Sequence, residues 1–306
     1  MQNLFLTIFI LNLYLAPSVV RSQESNIRSD SLQVNNSTIC KAAAYTSGYY
    51  AASLFLLSKT WYKDKKVVPF HFYNDTRGYL QVDKLGHTFG AYVYSYIGYH
   101  YLLNSGLTRK EALYFGATLG LILQTPIEIM DGIHEGYGFS WGDMAANTMG
   151  SALVFCQEVL FHEQVLKYKF SYSESSYSDK ANGYLGKNNF DRLLKDYNGH
   201  TYWLSMPINK MVPHKKIPSW LCMAVGYGAN GMYGEFGNIT NYNGVDIPEA
   251  KRYRQYLLSL DIDWTKIKTD SKFLQIVLKA LTFIKLPFPA IEYNSMGKFT
   301  SYWLYY

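Results

Sequence analysis

The sequence predicts an α+β protein: a compact four-helix unit followed by a small antiparallel β-sheet region. Three observations lead there. The stretches 42–58 and 112–127 carry no charged residue and sit beside helix-start signals, which is the pattern of core-facing helices. Runs alternating apolar with polar appear only after residue 200. At 306 residues and 48% hydrophobic content, the chain is long enough to bury a core in one large domain or two modest ones.

The chain opens with an apolar run of 13 residues, Leu4–Ala16, which Pro17 breaks. Val20-Arg21-Ser22 follows at the usual cleavage spacing, so residues 1–22 read as a secretory signal peptide cut after about Ser22, with an uncleaved anchor as the alternative. Residues 23–39 are a polar, Ser/Asn-rich segment. A helical domain is expected over 40–165, with helices at about 40–60, 82–104, 108–127 and 141–162. Thr108 with Glu111 makes a capping box, and Ser140 with Asp143 repeats the spacing. Gly86/Gly90, Gly116/Gly120 and Ala146/Gly150 place two small residues one turn apart on three successive helices, which lets backbones approach closely.

Residues 166–200 read as a polar linker or loop. The β-rich region, 201–306, is expected to hold strands at Thr201–Ile208, Trp220–Gly226 and Arg254–Trp264, then a helix over 271–285 ended by Pro287 and Pro289. In the closing strand, Lys298, Thr300, Tyr302, Leu304 and Tyr306 share one face. A terminal aromatic on such a strand is a feature of outer-membrane barrels. Those need at least about eight strands, and roughly five are expected here, so a small sheet is the better expectation.

Composition narrows the function. The net charge is +6 with no block of five like charges, which argues against nucleic acid as a partner. The mean hydropathy of −0.12 argues against a chain made mostly of membrane helix. Aromatic residues make up 17%, and tyrosine suits wet or lipid-edge surfaces, so membrane lipid or an envelope protein is the expected partner. Lys63–Lys66 and Lys251–Arg254 are the densest basic stretches, read first as solvated faces, with contact to an anionic membrane surface as the alternative. Cys40, Cys156 and Cys222 lack metal spacing, and none stands just after the expected signal. Cys156 lies in an apolar helix pattern and is expected to be buried; a Cys40–Cys222 bridge is not decided by spacing.

The candidate site consists of ionisable residues at helical spacing. Asp83 and His87 are four apart, Glu128 and Asp131 three apart, and Asp143 and Asn147 four apart. Buried charge is costly unless paired, so these residues, with Lys84, are expected to converge. Carboxylates with a histidine support acid–base catalysis by His87, Asp83, Glu128, Asp131 and Asp143, or a metal held by His87, Glu128, Asp131 and Asp143. A structural polar network including Lys84, Ser140 and Asn147 is the competing expectation, and no cofactor is assigned.

The motifs Asp83-Lys84-Leu85-Gly86-His87, Glu128-Ile129-Met130-Asp131-Gly132 and Phe139-Ser140-Trp141-Gly142-Asp143-Met144-Ala145-Ala146-Asn147 form the pattern DKxxH, ExxDG, SxGDxxAN. Over about 40–165 this resembles an uncharacterised exported bacterial family that includes the YfiM-like periplasmic lipoproteins. Tyr202-Trp203-Leu204-Ser205 and Leu258-Ser259-Leu260-Asp261-Ile262-Asp263 are similar to its long Bacteroidota branch. A looser resemblance joins the pattern to VanZ-like membrane proteins. The resemblance implies export to the periplasm or outer membrane of a Gram-negative bacterium and no particular reaction. The functional expectation is an envelope protein; the alternatives are an envelope lipid- or glycan-directed hydrolase or transferase, and an outer-membrane β-barrel component.

Overall fold

The computed structural model describes residues 65–212 and 216–306, together with separate positions between 47 and 63. The expected signal peptide, the polar segment 23–39, Cys40 with its bridge to Cys222, and most of the expected helix 40–60 lie outside the described residues. The chain divides into two compact units, one of Gly90–Leu160 with the described residues up to Asn74, the other of Asp75–Phe89 with Phe161–Tyr306. Helix and sheet are both present, as an α+β class requires.

The helical unit holds the part of α1 (Val82–Asn104) from Gly90 onward, α2 (Arg109–Gly132) and α3 (Trp141–Leu160). The Thr108 capping box starts α2: the Glu111 amide donates to the Thr108 hydroxyl at 3.3 Å, and the Thr108 amide donates to the Glu111 carboxylate at 2.9 Å. Close packing of α1 on α2 runs through glycine. A Cβ on Gly120 would lie 2.0 Å from the Ala91 carbonyl oxygen, and one on Gly116 would lie 2.5 Å from the Tyr99 backbone.

α2 does not end at 127 as expected. It contains a π-helical turn at Ala112–Gly116 and continues through Pro126 to Gly132. Past the π turn, the Gly120 amide donates to Ser95 Oγ (3.0 Å) and the Leu121 amide to Ser151 Oγ (2.8 Å). Thr125 Oγ1 donates to the Leu121 carbonyl at 2.7 Å, one turn before the proline. The Ser95 and Ser151 hydroxyls therefore take two amides just past the π turn, and the helix continues.

Along α2 and α3, many buried positions are polar and many exposed ones are apolar. α2 and α3 bury Gln124, Glu128, Asp131, Asn147, Ser151, Gln157 and Glu158. Ile122, Ile129, Trp141, Met149 and Leu160 are exposed. Cys156 is exposed too, against expectation. Its apolar neighbours do share one face, but that face of α3 points outward.

The second unit is built on a six-stranded antiparallel sheet. Its strands are β1 (Lys167–Tyr172), β2 (His200–Pro207), β3 (Leu221–Asn230), β4 (Tyr253–Ile262), β5 (Phe288–Asn294) and β6 (Phe299–Tyr305), in sheet order β1-β2-β3-β4-β5-β6. β1 and a helix, α4 (Asn189–Lys195), fall in the stretch expected to be a linker. A further helix, α5, spans Lys272–Leu281 between β4 and β5.

Sheet register sorts the side chains into two opposite faces. Leu204, Val225, Leu258 and Ile291 pair in sequence across β2 to β5 and are all exposed. The next rung is aromatic: Tyr202, Tyr227, Tyr256, Tyr293 and Phe299. These residues line an apolar cleft of about 550 Å³. The other face is buried and mixes an apolar cluster, Trp203, Ala224, Leu257 and Ala290, with polar and charged side chains. Lys169 and Asp261 pair there at 2.6 Å. Glu292 accepts from Gln255 (2.8 Å), Tyr302 (2.8 Å) and Asn294 (3.2 Å).

The expected single face of the last strand is not kept. The register shifts between the Phe288–Tyr305 and Ala290–Tyr302 pairs, so β6 carries one extra residue. Trp303 and Leu304 are consecutive and both exposed as a result.

Candidate functional site

Asp83, Lys84 and His87 belong to the sheet unit, while Glu128, Asp131, Ser140, Asp143 and Asn147 belong to the helical unit.

In the sheet unit, the chain enters α1 through three consecutive non-glycine residues in the left-handed region: Tyr79, Leu80 and Gln81, with φ of 46°, 51° and 69°. Each costs of order 1–2 kcal/mol for an L residue. Contacts from the sheet side hold them. The Tyr79 amide donates to the Glu235 carbonyl (2.8 Å), Tyr227 OH to the Leu80 carbonyl (2.5 Å) and Arg254 to Gln81 Oε1 (2.9 Å). This turn sets the first turn of α1. Lys84 Nζ lies 2.7 Å from Asp75 and 3.0 Å from Asp83, so one ammonium serves two carboxylates. Tyr197 OH donates to Asp83 Oδ1 at 3.0 Å, and Nε2 of buried His87 lies 3.9 Å from the same oxygen.

Burial alone would raise the Asp83 carboxyl pKa. The charges of Lys84 and His87, with hydrogen bonds from Lys84 and Tyr197, outweigh it and hold the group well below the usual carboxylate range. Asp83 is therefore a fixed anion, and the group suits a positioned acid–base histidine beside a permanent negative charge. Tyr197 stacks on Tyr79 at 4.4 Å between ring centroids. His200, buried near Tyr197, donates Nε2–H to the Leu193 carbonyl (3.0 Å); burial lowers its pKa to about 4, so it stays neutral.

The helical unit assembles its polar residues in layers. Tyr62 OH donates to Asp131 Oδ1 at 2.5 Å, and its ring stacks on His134 at 4.2 Å. Gln124 Nε2 donates to Asn147 Oδ1 at 2.5 Å, and Asn147 Nδ2 donates to Glu128 Oε1 at 3.3 Å. Further along, Ser95 Oγ donates to Ser151 Oγ at 2.9 Å. Glu158 closes the series, taking Tyr99 OH and Arg109 Nη2 at 2.8 Å each. Ser140 caps α3, accepting the Asp143 amide at 3.1 Å.

Expected residues thus meet within each unit: Asp83 with Lys84 and His87, and Glu128 with Asn147. Asp131 is buried in α2. Several partners were missed. Gln124 is four residues before Glu128, so the same spacing rule would have found it. Asp75 and Tyr197 carry no local signal, because they reach the site from outside its helix. Tyr62 likewise arrives from another segment.

Residues 71–158 match the model of a family described as predicted periplasmic lipoprotein, DUF2279. The match spans all three motifs, from Asp83 to Asn147. Comparison with curated proteins gives no match, and comparison with solved structures gives none. The stretch is similar to an uncharacterised exported bacterial family, and the chain is an exported protein of the periplasm or the outer-membrane side of the envelope.

Proposed function

We propose that the protein is a lipid-seated envelope protein whose helical unit presents its apolar surface to the membrane. The observation that carries this reading is the set of buried polar and exposed apolar positions along α2 and α3. A water-soluble helix buries its apolar stripe. Here Gln124, Glu128 and Asn147 are buried and Ile122, Ile129 and Met149 are exposed. In lipid the apolar surface needs no cover, and polar side chains turn inward and find one another. α2 is 24 residues long and apolar enough to cross a membrane, a length of about 36 Å at 1.5 Å per residue. The sheet unit supports the same environment through its exposed Leu204-Val225-Leu258-Ile291 rung. Fractionating envelopes tests it: the protein should stay with membranes through high salt and alkaline carbonate and leave only in detergent. Release by salt into a monodisperse, detergent-free state would reject it.

A second reading rests on the Asp75–Lys84–Asp83–Tyr197 group held behind the left-handed turn. Backbone strain of this kind gathers at functional sites. On this reading the protein is an envelope lipid- or glycan-directed hydrolase or transferase. His87 is its acid–base group, Asp83 its fixed anion, and Glu128, Asp131 and Asp143 of the same family motifs are further catalytic or metal-holding candidates. A His87→Ala protein that keeps its melting temperature and loses the knockout-complementing activity supports the enzyme. A His87→Ala protein that still complements removes it.

A further inference from the structure

α5 turns its apolar side outward. Phe273, Leu274 and Ile276 are exposed, and Phe273, Ile276 and Ala280 at i, i+3 and i+7 form one stripe. A helix packed on a core would bury that stripe. At 10 residues α5 is about 15 Å long, too short to cross a bilayer, so a lipid contact would lie in the plane of the surface.

Charge around the helix is mostly positive. Lys266, Lys268 and Lys279 are exposed. Lys272 opens the helix, and Asp270 is the one carboxylate in the sequence from 264 to 285. Glu163 offsets part of this, 3.9 Å from Lys266, but it is also paired with Lys210. Trp220, also exposed, adjoins the segment, since the Asp263 amide donates to its carbonyl at 2.8 Å. Lysines beside an outward apolar stripe are complementary to an anionic bilayer surface: the ammonium groups meet phosphates, and the apolar side chains enter the acyl boundary.

We infer that α5 is an in-plane anchor that docks on an anionic lipid surface through Lys266, Lys268 and Lys279 and inserts Phe273, Leu274 and Ile276. It deepens the lipid-seated reading and rests on it only for placing the chain at a membrane. The anchor lies in the sheet unit and is selective for headgroup charge, which the helical unit's apolar surface is not.

Hydrogen exchange of the full chain in nanodiscs separates the two. In phosphatidylglycerol discs the amides of 272–281 should exchange severalfold more slowly than in phosphatidylcholine discs. The triple variant Lys266→Glu, Lys268→Glu, Lys279→Glu should lose that difference while β4 amides exchange as in the parent, which shows the variant is folded. Equal exchange of 272–281 in both lipids overturns the anchor. If residues 109–132 are protected in both discs at the same time, the lipid-seated reading survives that failure; if 109–132 exchange freely in both, that reading fails by itself.

Discussion

Lys169 and Asp261 pair at 2.6 Å on the buried face of the sheet, and the neighbour of that aspartate, Leu260, faces out into the open. A charged pair is thus buried one residue away from an exposed leucine, on the face that also buries Trp203, Ala224, Leu257 and Ala290. Both charged side chains are almost fully buried, at 0% and 1% exposure. Removing one leaves the other uncompensated, so Asp261→Asn should destabilise by about 3–5 kcal/mol. The double variant Lys169→Met with Asp261→Leu should recover most of that loss. Chemical denaturation of the three variants measures it.

Helix contact through glycine gives a sharper steric test. Gly120→Ala places a methyl group 2.0 Å from the Ala91 carbonyl oxygen, so α1 and α2 must separate. The expected cost is about 1–3 kcal/mol or more, as for other overpacked interiors. Gly237→Ala, where nothing lies within 4 Å, serves as the neutral control. Melting temperatures of the two variants, compared with the parent, read the difference.

His200 makes stability depend on pH. Its folded-state pKa is lowered to about 4 by burial, against about 6.5 unfolded. Above pH 6.5 both states are neutral and the contribution is fully present. As pH falls from 6.5 to 4 the unfolded chain takes up a proton that the folded one does not, so stability drops, by about 3 kcal/mol in all, and levels off below 4. His200→Gln should flatten that part of the profile, which denaturation at a series of pH values records.

Asp83 acts in a lower window. Its pKa is held well below the usual range, so its contribution is present above the unfolded value near 4 and is lost as pH falls further. Lys84→Met removes the largest charge that stabilises the anion. It should raise the Asp83 pKa and move the acid-unfolding midpoint to higher pH, as followed by circular dichroism.

Local signals in the sequence located several elements well. The span 82–104 coincides with α1, and the Thr108–Glu111 box marks the start of α2. Pro126 hid the end of α2, because a helix-breaking residue stands inside a helix that runs on to Gly132. β1 was hidden as well: Lys167 and Lys169 face inward, so a strand read as a polar linker. In β5, Pro289 and Glu292 disguise the alternation in the same way. The polar pairs at i, i+3 and i+4 were legible. Their partners Asp75, Tyr62 and Tyr197 were not, since tertiary contacts bring them in.

The exposed Cys156 shows the deeper limit. Periodicity tells which residues share a face, but the direction of that face depends on the solvent. An apolar stripe is expected to point inward when water lies outside. In α2 and α3, polar side chains pair inside and part of the apolar surface faces out.

Labelling at Met149, in the middle of the outward stripe of α3 and 65% exposed, tests the lipid seat most directly. Met149→Cys, in a background with Cys40 and Cys156 changed to Ser, offers one reactive thiol, since Cys222 is buried. In native membranes it should resist a charged, water-soluble maleimide, react with a lipid-soluble one, and become open to the charged reagent once detergent is added. Full reaction with the charged maleimide in intact membranes would mean that the stripe faces water, and the account would be wrong.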